Sequence, residues 1–173
     1  MPRTLGQALG FLLGFTIALW LSPFTGNQIR AEEQGVAPFA QLEADMHAQV
    51  RAVRSQRHLL PMQRRPDLDA VARAHAFDMA QRGYLDHISP EGSNPLMRIQ
   101  RAGVLGFTLA AENIGKTSRG NPTREILDGW IASPSHRENL ETPPFNATGI
   151  GVARSADGSF IYTQLYATFP RYE

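Results

Sequence analysis

The chain has 173 residues, with 17 Lys and Arg against 16 Asp and Glu, 42% hydrophobic residues and no cysteine. Such a composition belongs to one ordinary globular domain and carries no disordered, collagenous or coiled-coil bias. The absence of cysteine excludes disulfide staples, a thiolate zinc site and a cysteine nucleophile. The net charge of +1 supplies no drive towards nucleic acid.

Arg3 precedes an uncharged stretch, Thr4 to Ile29, whose apolar centre runs from Leu9 to Leu21. A centre of that length suits an export signal better than a membrane span, which needs ~20 apolar residues. Residues 1–30 are expected to be a signal peptide or, if uncleaved, a membrane anchor through residues 5–24. No small-x-small triplet marks a cleavage site, so both remain open. Residues 31–38 read as a linker and 39–173 as the domain. Without Arg3 and Arg30 the rest holds 15 basic and 16 acidic residues, near neutrality.

Leu42, Met46, Val50 and Val53 recur at helical spacing and predict a helix over Phe39 to Arg57. Arg51, Arg54 and Arg57 continue to Arg64 and Arg65 as a basic stripe. A solvated helix face is the expected reading, and contact with anionic lipid or cell wall the other. A second helix opens at Pro66–Asp67 and closes at Gly83, with Leu68, Val71, Ala72, His75 and Met79 on one stripe. Asn94–Pro95 opens a third, short helix ending at Gly103. Asn121–Pro122 opens a fourth, carrying Ile126, Leu127 and Trp130. Ser133–Pro134 begins a further helical turn that presents His136. Only the C-terminal quarter reads as β: Thr148–Arg154 and Ser159–Phe169 flank an Asp157–Gly158 turn. The glycines of the first of these strands predict close packing against a helix backbone. Helices early and a hairpin late make an α+β domain.

Several motif matches fail. Gly115–Lys116–Thr117 lacks the first glycine of a phosphate loop, where Ala110 stands, and Gly149–Ile150–Gly151 lacks the third glycine of a dinucleotide fingerprint. Asn146–Ala147–Thr148 is a glycosylation acceptor by pattern alone. What remains is polar: His87 just past a helix end, Glu112 and Asn113 between apolar neighbours, and His136, Arg137 and Asn139 after Ser133–Pro134. Glu112 in that setting needs a partner, because an unpaired buried carboxylate is strongly disfavoured. A direct bond from His87 would meet the need and raise the imidazole pKa. Two imidazoles and one carboxylate also form the ligand set of open zinc sites. His75, mid-stripe, reads as a core histidine or a support for the cluster rather than a ligand.

These residues resemble the CAP (or SCP) superfamily, which groups plant pathogenesis-related proteins, venom allergens, cysteine-rich secretory proteins and bacterial exported domains. In family order stand Leu68, Ala72, His75 and Asp78–Met79–Ala80, then His87 with Ser89–Pro90 and Gly92, then Arg98 with Ala102–Gly103. Ala111–Glu112–Asn113–Ile114, Trp130 with Ser133–Pro134 and His136–Arg137, Gly149 to Val152, and Tyr162–Thr163–Gln164 complete the set. The likeness spans residues 42 to 169 and is to the bacterial branch without cysteines. It implies a three-layer α–β–α sandwich around a small, mainly antiparallel sheet. It also implies a cleft containing His87, Glu112, His136, Ser133, Asn113, Tyr162 and Gln164. Family members line that cleft with two His and two Glu, and some hold a divalent metal there. Here Ser133 stands at the second Glu position and Ile161 at the second His position. His87, His136 and Glu112 are then the candidate ligands, with zinc the candidate ion. Two functions are implied. One is an exported binding module for a small amphiphile, a cell-envelope component or an extracellular protein. The other is a metal-dependent hydrolase, such as a peptidase, with those three residues.

Overall fold

Proline and glycine punctuate the helices. The computed structural model describes residues 39–170. The expected export segment and linker, residues 1–38, lie outside the described residues. Helix α1 spans Ala40–Gln56, α2 Pro66–Arg82, α3 Pro95–Arg101, α4 Pro122–Ala132 and α5 Pro134–Glu141. Four of the five begin on proline, whose missing N–H costs nothing in a first turn. Asn94 and Asn121 cap α3 and α4 by accepting the N–H of Met97 (2.9 Å) and Arg124 (3.3 Å). Gly83 ends α2 at φ +71°, where its own N–H and that of Tyr84 both reach the Met79 carbonyl.

The strands are β1 (Gln63–Arg64), β2 (Leu109–Thr117), β3 (Ala147–Arg154) and β4 (Phe160–Thr168), in the order β1-β3-β4-β2. The β1–β3 pair is parallel and the other two are antiparallel. Alternation along the strands sends side chains to two cores. Tyr162 and Tyr166 with Ile150 and Val152 pack against Met46 and Val50 of α1, Ile126, Leu127 and Trp130 of α4, and Leu140 of α5. On the opposite face Leu165 and Ala167 meet Leu68, Val71 and Ala72 of α2 and Ile99 of α3. Ile114, Ala153 and Ile161 meet Ala76 and Met79 of α2. The fold is the expected α–β–α sandwich.

The close approach predicted at the glycines is present. A Cβ on Gly149 would lie 2.2 Å from the Leu68 carbonyl carbon, and one on Gly151 2.1 Å from the Arg73 nitrogen. Both obstacles are α2 backbone. Nothing but glycine lets the helix sit so low on β3.

Three expectations need correction. The segment 109–117, outside the quarter expected to be β, is a nine-residue strand. Its alternation is disguised because Glu112 points into a helix-covered core and Gly115 faces α4 without a side chain. The two-residue β1 was not foreseen either; so short a run carries no periodicity. Third, the basic stripe does not exist as one solvated face. Arg54 is fully buried, and its guanidinium donates to the carbonyls of Leu60, Leu140, Thr142 and Phe145 at 3.0–3.1 Å. It thereby satisfies orphan carbonyls at the end of α5. Arg64 and Arg73 converge on the buried Glu43, and Arg64 also holds Asp69. Arg65 pairs with Asp67 and covers the Phe169 ring at 4.2 Å.

Replacing Gly151 by Ala tests the helix–strand contact. The alanine gains roughly 0.5–1 kcal/mol of backbone entropy, whereas overpacking costs typically 1–3 kcal/mol or more. The clash wins, so Gly151→Ala is expected to lower the urea midpoint; an unchanged or raised midpoint would contradict the packing described.

Candidate functional site

Glu112 lies on β2 with its side chain 1% exposed, facing α2 and α3. A carboxylate cannot be left alone there. His87 Nδ1 meets Oε1 at 2.9 Å, and Arg98 Nη2 donates to Oε2 at 2.7 Å. An ionised carboxylate only accepts, so Nδ1 carries the proton and Nε2 of His87 is left for solvent. The His87 side chain is 45% exposed, the one wet member of the group.

Arg98 also fixes the loop that carries His87. Its Nη1 donates to the His87 carbonyl at 3.0 Å and to the Ser93 carbonyl at 2.6 Å. Beneath the carboxylate, buried His75 donates from Nε2 to the Asp86 carbonyl (3.0 Å) and comes within 3.9 Å of Glu112 Oε1. That is the supporting position expected of it. Nδ1 of His75 has no partner among the described residues.

His136 arrives from the first turn of α5. Asn113, fully buried, donates to the His136 carbonyl and the Tyr166 hydroxyl, each at 3.0 Å, and accepts from Asn139 at 2.9 Å. Asn139 also donates to the Glu112 carbonyl at 3.3 Å. The His87 and His136 rings stand 6.4 Å apart, inclined by 42°. A groove of about 460 Å³ runs from His136 and Ser133 along α4 to the Ile114–Thr117 end of β2.

The expected cleft set therefore divides. His87 and Glu112 bond directly, His136 faces His87, Ser133 lines the groove, and Asn113 acts through backbone. Tyr162 and Gln164 are not on a cleft wall. Both are wholly buried, Tyr162 bonding Thr123 at 2.9 Å and Gln164 lying between Thr148 and Tyr166 at 3.0 Å each. The alternation of β4 turns them into the core under α4. The residue the motif reading left without a role is Arg98. A buried acid requires a cation within reach, and the short helix α3 is where that cation sits.

A divalent metal, implied by the family likeness, meets a poor donor set in this arrangement. Both Glu112 oxygens are engaged, one of them by a guanidinium. No trio of His, Asp and Glu side chains among the described residues converges as metal ligands do.

The imidazoles differ electrostatically. The hydrogen bond that His87 donates to Glu112 raises the His87 pKa above the usual 6.5. Burial lowers that of His136, with a further push from His87, and burial lowers that of His75. Burial also lifts the Tyr166 phenol well above its ordinary range.

The linkage signs are opposed. His87 contributes stability in full below its unfolded pKa and loses it as pH rises through the raised value. His75 and His136 weaken the fold as pH falls below the usual 6.5. Ring NMR titration should place the His87 midpoint above 6.5 and that of His136 below it; the reverse order would refute the pairing. In Glu112→Gln the part-buried Arg98 (side chain 12% exposed) loses its counter-charge, a loss bounded above by the ~3–5 kcal/mol of breaking a fully buried pair. Urea unfolding should register that loss, and the His87 midpoint should fall.

Comparison with known proteins bears on the family and the fold. The family model for the cysteine-rich secretory protein family, CAP, matches residues 44–166. The uncharacterized protein YkwD of Bacillus subtilis is 28% identical over 145 residues, covering 84% of this chain and 54% of that protein. The uncharacterized membrane protein YlbC of the same organism is 31% identical over 84 residues, 49% of this chain and 23% of its own length. The chain thus spans about half or less of these relatives. An extracellular protein containing an SCP domain from Bacillus anthracis superposes with a TM-score of 0.66 at 28% identity, covering 86% of this chain and 45% of that one. An outer surface protein from Borrelia burgdorferi superposes with a TM-score of 0.70 at 19% identity, covering 78% of this chain and 97% of that one, a likeness of fold. The chain belongs to the CAP family, in a form without cysteine.

Proposed function

We propose that the protein is an exported CAP module that binds a small amphiphile, a cell-envelope component or an extracellular protein in the groove ending at His136, whose ring faces His87. The observation that carries this reading is the state of Glu112. Its oxygens are committed to Arg98 and His87, so the acid serves to fix the imidazole that faces His136 and has no free oxygen to act as a base. The chain has no cysteine, and Ser133, the hydroxyl lining the groove beside His136, meets only Ser135 Oγ, at 3.4 Å. Among the described residues no imidazole or carboxylate bonds it. Export is supported by the uncharged Thr4–Ile29 stretch behind Arg3 and by the extracellular and outer-surface settings of the two superposed proteins. No helix among the described residues is long and apolar enough to cross a membrane.

A zinc-dependent hydrolase is the second reading, kept for one observation: two imidazoles face each other 6.4 Å apart beside a carboxylate. It requires Glu112 to exchange Arg98 for the ion. Stoichiometric Zn²⁺ added at neutral pH is expected to leave the ring signals of His87 and His136 without a common saturable shift. A shared shift, lost in Glu112→Gln, would favour the hydrolase. For the binding role, mass spectrometry of the gently purified full chain should recover a co-purified ligand. Gly129→Trp should abolish it, since Gly129 lines the groove and a Cβ there meets nothing within 4 Å.

A further inference from the structure

We infer that the hollow between α2 and α3 is a second binding site, one that takes a small monocarboxylate with an apolar body. It lies across the sheet from the groove along α4 and does not rest on that groove's role. The outer face of α2 sets its chemistry. Ala70, Ala74 and Phe77 recur at steps of four and three, which puts them on one stripe of the helix. All three are exposed, Phe77 by 60%. A solvent-facing stripe ordinarily carries charged or polar side chains. This one is apolar, and its two alanines are too small to fill the space towards α3.

Val71 and Ile99 belong to the core cluster that joins the two helices below. Above them remains a hollow of about 320 Å³, lined by Ala70, Val71, Ala74 and Ala102 together with Ser93 and two arginines. At the ~30 Å³ that a water occupies in the liquid, such a space holds roughly ten non-hydrogen atoms, the small end of ligand pockets. Ser93 is buried and fixed: its carbonyl accepts from Ser89 N–H at 3.0 Å and Arg98 Nη1 at 2.6 Å, and its own N–H donates to Ser89 Oγ at 3.3 Å. The wall is therefore formed before any ligand arrives, which lowers the entropic cost of binding.

Charge selects the end group. The lining holds Arg98 and Arg101 and no acid. Glu112 neutralises Arg98 at 2.7 Å, so that charge is spent. Arg101 is different. Its Nη1 donates to the fixed Ser93 Oγ at 3.1 Å, and no carboxylate among the described residues reaches it within ion-pair distance. One uncompensated guanidinium thus stands beside an apolar hollow, held there by a hydroxyl. A guanidinium is a planar fork that receives a carboxylate through two parallel hydrogen bonds. An acid bound to it would lay its apolar body against the alanines and along the stripe that Phe77 continues.

The test titrates octanoate, an acid of that size, into the full chain and follows it by amide NMR, with octanol and octylammonium as comparisons. Octanoate is expected to shift Ala74, Ala102 and the Arg101 Nε–H saturably, with a Kd of about 1 mM or tighter. Octanol should bind about tenfold more weakly or worse, and octylammonium not at all. Arg101→Gln should weaken octanoate about tenfold or more and leave octanol unchanged. Ala74→Phe, which fills the hollow from an exposed position, should abolish both, and Gly129→Trp should change neither. The inference fails if about 10 mM octanoate gives no saturable shift, if acid and alcohol bind equally, or if Arg101→Gln binds octanoate as the wild type does. Loss of octanoate binding in Gly129→Trp would move the acid to the groove, sinking the second site while the proposed binding role stands. Self-association of the full chain that Ala74→Phe abolishes and octanoate leaves untouched would give the hollow to a second copy and overturn the inference too.

Discussion

A single buried carboxylate organises the candidate site of this molecule. Glu112 sits in a sheet core where desolvation would be prohibitive without compensation, and the chain supplies it from two directions. Arg98 comes from α3 and His87 from the loop between α2 and α3. The same guanidinium then closes that loop onto itself through the His87 and Ser93 carbonyls. The charge has a consequence at the surface. By fixing Nδ1 as the donor, Glu112 orients the imidazole that faces His136, so a buried acid sets the protonation of an exposed base.

Rigidity comes from elsewhere. Gly149 and Gly151 let α2 settle onto β3, which brings His75 under the carboxylate. On the other face the buried Arg54 stitches α1 to the end of α5 through carbonyls alone. The segment that presents His136 is held there and again by Asn113. Glu43, Arg64, Arg73 and Asp69 tie α1 to β1 and α2, and Asp69 accepts the Ile150 N–H of β3 at 2.8 Å. Each group that reaches the groove thus stands on an element whose position is determined by buried polar contacts, the arrangement a binding surface requires to keep its shape.

Much of this was legible along the chain. Proline and asparagine at the starts of α3 and α4, glycine at the end of α2 and the Asp157–Gly158 turn are local devices, and each acts within a few residues of itself. The pairing of His87 with Glu112 was legible too, because an acid flanked by apolar residues needs a donor. β2 was not, since its alternation passes through Glu112, Asn113 and Gly115, residues whose inward placement makes sense only once their partners are present. Arg54 likewise stands among arginines on a helix and differs from Arg51 only in what lies opposite. Tyr162 and Gln164 followed their motif into an expected cleft, although strand parity sends them to the core.

The sequence by itself determined the helices, the hairpin, the close approach at two glycines and the family, because these rest on short-range backbone chemistry and on motif order. It took the folded arrangement to bring Arg98 onto Glu112 and to place Arg54 in the interior. Those outcomes depend on which buried polar groups meet across the sheet, and residues distant along a chain do not announce their neighbours.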